Sequence, residues 1–107
     1  MDLKSKKLMD YLSEGILHPD VSGFELLEIL DIRSQMASRE PLLSEDEKER
    51  LESLDRQLSK FAESWAARIS EVADLAEMRK RTHVLPSHWW WYLDEINSNR
   101  QKAEALF

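Results

Sequence analysis

The chain has 107 residues, a length that fits one domain able to bury roughly two-thirds of its unfolded surface. Its 21 acidic and 15 basic side chains leave a net charge of −6, which repels a phosphate backbone and gives non-specific nucleic-acid binding no help. With no cysteine, 2 glycines and 3 prolines, disulfide frameworks, thiolate metal sites and cysteine nucleophiles are excluded, and turn formers are too scarce for an all-β domain or a Gly-rich phosphate loop. The expected fold is therefore all-α, a single domain of about four helices.

In the first segment, Leu8, Tyr11, Leu12 and Ile16 recur on one face of a 3.6-residue helix. That predicts a helix over about 3–17, stopped by His18-Pro19, because proline disfavours a helical residue before it. Acidic residues follow the basic start Lys4, Lys6 and Lys7 too closely for a signal-peptide core, and no stretch approaches the ~20 apolar residues needed to cross a bilayer. The expected compartment is the cytoplasm.

Ser22 with Glu25 three residues on has the form of a capping box, and it opens a predicted helix over about 22–39 that ends before Pro41. The apolar positions Phe24, Leu26, Leu27, Ile29, Leu30, Ile32 and Met36 cover more than half of its circumference. A stripe that wide predicts a helix sandwiched between neighbours. Ser44 with Glu47 forms a second capping box, after which neither glycine nor proline interrupts the chain until Pro86. This predicts one long central helix over about 44–81, packed by the two N-terminal helices and a C-terminal one. The series Leu51, Leu54, Leu58, Phe61, Trp65 resembles a heptad seam, but Arg68 breaks it and the stripe drifts to Ile69 and Val72. A straight rod of this length would span about 57 Å, longer than the ~35 Å globule such a chain forms, so it must be covered, kinked or completed by a second copy. Residues 82–86 read as an extended connector, and Ser87 as the N-cap of a last helix over about 87–104.

Histidine is the readiest ligand and proton shuttle near neutral pH. His83 and His88 lie five residues apart, whereas a helical metal pair needs four and a supporting carboxylate, so no metal or other cofactor is expected. No serine sits in a Gly-x-Ser-x-Gly elbow, and most carboxylates fall on solvated faces with no cause for a shifted pKa. The chain is expected to be non-enzymatic.

The anomaly is aromatic: His88-Trp89-Trp90-Trp91-Tyr92. On an α-helix four consecutive rings fan around most of the circumference. If Leu93 and Ile96 mark the buried direction, Trp89 and Tyr92 face the core, Trp90 lies on the flank and Trp91 points away. This predicts a partner-binding patch of Trp90, Trp91, Pro86 and His88, since exposed tryptophan is enriched at interface hot spots. Truncating Trp91 should then leave thermal stability almost unchanged. The partner would be a protein or a second copy of the chain, the protein acting as an adaptor or in an antitoxin-like way. An alternative uses the basic cluster Arg79, Lys80 and Arg81 at the end of the third helix to bind nucleic acid, although a cationic helix C-terminus is equally explained by the helix dipole.

Overall fold

The N-terminal half follows its capping signals. In a computed structural model, which describes residues 3–18 and 20–96, α1 spans Leu3–Leu17 and α2 spans Gly23–Ala37. Ser22 caps α2 by accepting the N–H of Glu25 at 3.3 Å. The two helices approach closely at Gly15, where any Cβ would overlap the side chain of Ile29. Gly23 is similarly confined, because a Cβ there would lie 2.6 Å from the carbonyl oxygen of Arg68. Met9, Leu12 and Ile16 of α1 and Leu26, Ile29, Leu30 and Met36 of α2 join one buried core. As the wide apolar stripe of α2 predicts, this helix packs against α1 and against a later helix, α4 (Ala62–Ser70).

The expectation of one helix over 44–81 is overturned. The segment forms α3 (Glu45–Lys60), α4 and α5 (Leu75–Thr82). The complete Ser44–Glu47 capping box starts α3. At Phe61 the backbone turns to φ −100° and ψ 16°, and its N–H is shared among the carbonyls of Gln57, Leu58 and Ser59. A second break at residues 71–74 ends where Asp74 caps α5, accepting the N–H of Glu77 at 3.2 Å. The reason is geometric. A straight rod of about 57 Å exceeds the longest molecular extent of 43 Å, and bending returns Trp65, Ile69 and Leu75 to the core. Arg68, the residue that breaks the seam, donates to the carbonyl of Val21 at 2.9 Å and ties α4 to the α1–α2 connection.

After α5, His83 adopts a left-handed conformation (φ 49°, ψ 50°) and its N–H closes the helix on the carbonyl of Arg79. Pro86 then follows Leu85 in a turn closed by the His88 N–H on the Leu85 carbonyl at 3.0 Å. The expected α-helix over 87–104 is also corrected. Trp89–Tyr92 is a 3-10 turn preceded by His88 without a side-chain cap, so Ser87 does not act as N-cap, and α-helix begins only at residues 93–96. Residues 97–104 lie outside those described. The architecture is all-helical, with no strand among the described residues, and no described helix is long and apolar enough to cross a membrane.

Candidate functional site

The 3-10 turn reverses the predicted orientation of the aromatic rings. Trp90 is 2% exposed and Trp91 9% exposed, whereas Trp89 and Tyr92 are half-buried. The expectation that Trp91 projects into solvent is therefore wrong. Its cause lies in α2, where the hydroxyl of Ser34 accepts the indole N–H of Trp90 at 2.9 Å and that of Trp91 at 2.8 Å. A buried indole N–H is usually paired, although that of Trp65 is not, and here one hydroxyl oxygen with two lone pairs serves both rings.

Beside Ser34, Arg33 is only 3% exposed. Its Nε and Nη2 donate to the two carboxylate oxygens of Asp55 on α3 at 2.8 and 2.9 Å, and Nη2 also reaches Glu40 at 2.9 Å. The guanidinium lies over the Trp90 ring, 4.1 Å from its centroid. The imidazole of His88 is also stacked on Trp90, at 4.6 Å with an interplanar angle of 24°. Arg33, Ser34 and Asp55 thus form a clamp that joins α2, α3 and the aromatic turn. A buried charge in this position requires its carboxylate partners, because an unpaired one would cost several kcal/mol, about 3–5 when one partner is removed.

The basic cluster is dispersed by the fold. Arg79 turns inward, with its side chain 11% exposed. It donates to Asp94 at 2.7 Å and to the Trp91 carbonyl at 2.8 Å, and lies over the Tyr92 ring. The Asp94 hydrogen bond holds its pKa above the ordinary arginine value, against the opposing effect of burial. Arg81 pairs with Glu77 at 3.8 Å on the surface, and Lys80 is exposed. The three cations therefore form no common patch, which corrects the expectation that they act together.

On one side of the connector, between α2 and α5, lies an open groove of about 500 Å³. Leu27 of α2, Met78 of α5, and Val84, Leu85 and Trp91 give it an apolar lining. Glu28 and Asp31 supply carboxylates, while Thr82 and His83 mark the end of α5. Of the predicted patch, His88 and Trp91 line this groove, Pro86 is exposed at the adjoining turn, and Trp90 lines a smaller cavity on the clamp side with His88 and Glu40. Ser34 also lines the groove, but neither His83 nor His88 is hydrogen-bonded to it; its oxygen is engaged by the two indoles. No group of three metal-ligating side chains occurs among the described residues.

Sequence reasoning missed Arg33, Ser34 and Asp55. One signal was available: Arg33 is the sole cation of α2, next to Ile32 of the wide apolar stripe, and a cation in a sandwiched helix must find partners. The chain matches no known protein family, no curated protein and no solved structure.

Proposed function

We propose that the chain is a non-enzymatic protein–protein interaction module, working in the cytoplasm, whose partner docks between α2, α5 and the 83–88 connector. The observation that carries this reading is the groove itself. Its lining is predominantly apolar, it is open to solvent, and Leu85 stands at it 58% exposed. Such a surface suits an apolar side chain from a partner better than a reacting group, since no titratable residue there is sealed from water. Three of the four residues predicted from sequence, Pro86, His88 and Trp91, lie at or beside it, although Trp91 contributes as groove wall rather than as a projecting anchor. The cysteine-free composition is compatible with a reducing compartment. The partner is a larger protein that the chain scaffolds or neutralises, with a second copy as the competing occupant.

His83 adds a further argument. It is the one non-glycine residue with positive φ among those described, in a conformation that costs an ordinary side chain roughly 1–2 kcal/mol. Glycine would relieve that strain, whereas a histidine keeps an imidazole in the groove.

The test is site-specific photo-crosslinking in the producing cell, with the crosslinker replacing Leu85 or, as a control outside the groove, Phe24, which is 65% exposed. Discrete adducts from position 85 and none in common with position 24 are expected. Identical adducts at both positions, or none at 85, would contradict the reading. An adduct of twice the chain mass would identify the second copy as occupant.

A further inference from the structure

We infer that the groove selects a basic amphipathic segment, one that seats an apolar side chain on the groove floor and places lysine or arginine against its acidic wall. This rests on the groove being the interaction surface and adds the chemistry of what enters it. The groove is lined by Leu27, Met78, Leu85 and Trp91, which offer the floor. The formally charged residues among its lining are both acidic, Glu28 and Asp31, one helical turn apart on α2 and both exposed.

A second source of negative potential is independent of those carboxylates. Thr82 and His83 place the C-terminal end of α5 at the same groove, and the carbonyl end of a helix is the negative pole of its dipole. Of the three cations in the last turn, Arg79 is engaged by Asp94 and Arg81 pairs with Glu77 on the surface, so Lys80, which is exposed, is left to offset this pole and does so only in part. Lysine and arginine suit such a surface because their methylene stems lie along apolar walls while the charged head stays at the wet rim.

The experiment uses the full chain, labelled with ¹⁵N, and three short capped peptides that share a Leu-Phe core and differ only in flanking Lys, Gln or Glu. At low ionic strength the Lys-flanked peptide is expected to shift the amides of Leu27, Met78 and Leu85 and to bind about fivefold to tenfold more tightly than the Gln-flanked one. The Glu-flanked peptide should bind least. The Glu28→Gln/Asp31→Asn double variant, changed only at exposed positions, should melt as the wild type does and lose the preference. Added salt should reduce it as well. Equal binding of all three peptides at the groove would overturn the inference while leaving the interaction reading intact. Failure of the Lys-flanked peptide to perturb those amides would also overturn it, and the crosslinking result at position 85 would then decide the broader reading separately. Shifts confined to residues outside the groove would count against both.

Discussion

The two sides of the 83–92 segment are built from the same aromatic-rich sequence but meet opposite fates. On the clamp side, Trp90 is closed off by Arg33 and His88, both lying against its ring, with its N–H taken by Ser34. On the groove side, Leu85 remains 58% exposed and His83 keeps a strained backbone. The difference is the availability of polar partners. α2 presents Ser34 and a carboxylate-paired Arg33 to the indoles, so burying them leaves no indole N–H of the pair unsatisfied. To the groove it presents Leu27, Glu28 and Asp31, besides the Ser34 oxygen already taken by the indoles, which leave an apolar floor and an acidic wall without a covering element. An aromatic run is thus an unreliable guide to exposure, because the neighbouring helix decides which rings can be buried.

Substitutions should separate the two sides, with the largest effects in the clamp. Trp90→Ala, and to a lesser extent Trp91→Ala, should lower the unfolding free energy by about 3–5 kcal/mol in urea titration, as large-to-small core changes do. This reverses the stability-neutral outcome expected for Trp91 from sequence. Loss of less than about 1 kcal/mol would show that the rings are not core. Asp55→Ala leaves Arg33 with Glu40 as its remaining carboxylate and should cost about 3 kcal/mol, measured in the same way. Ser34→Ala should cost about 2 kcal/mol, since both indole N–H groups lose their acceptor. A double-mutant cycle between Ser34→Ala and Trp91→Phe should show coupling, and additivity would break the clamp description. The smallest effect has the opposite sign. His83→Gly should raise stability by about 0.5–1 kcal/mol through relief of the left-handed strain, while weakening whatever contact the imidazole makes in the groove. A destabilised His83→Gly protein would show that the side chain is structural.

Legibility in the sequence followed the strength of local signals. The capping residues Ser22 and Ser44 specify where helices begin, and the i, i+4 pairs Leu12–Ile16 and Leu26–Leu30 which face is buried, although Tyr11 and Phe24 of the expected apolar sets are exposed; α1 and α2 lie close to their expected bounds. The bend at Phe61 carries no glycine or proline to announce it. It follows from a tertiary demand, that Trp65 and Ile69 reach α2, and only the drift of the stripe at Arg68 hints at it. The break before α5 was readable, because Asp74 followed by Glu77 has the spacing of an N-cap signal. The aromatic turn was misread because an α-helical 100° step was applied to residues that form a 3-10 turn, and because the Ser34 hydroxyl is more than fifty positions away from both indoles. Pairings at such separations leave no trace in local periodicity.

The most direct test of the account is amide and indole hydrogen exchange on the wild-type chain and the Ser34→Ala variant, with the four indole N–H signals assigned by single Trp→Phe substitutions. The account predicts that the Trp90 and Trp91 indole protons exchange slowly in the wild type and that both lose protection together in Ser34→Ala. Fast, solvent-like exchange of the Trp91 indole in the wild type would contradict it.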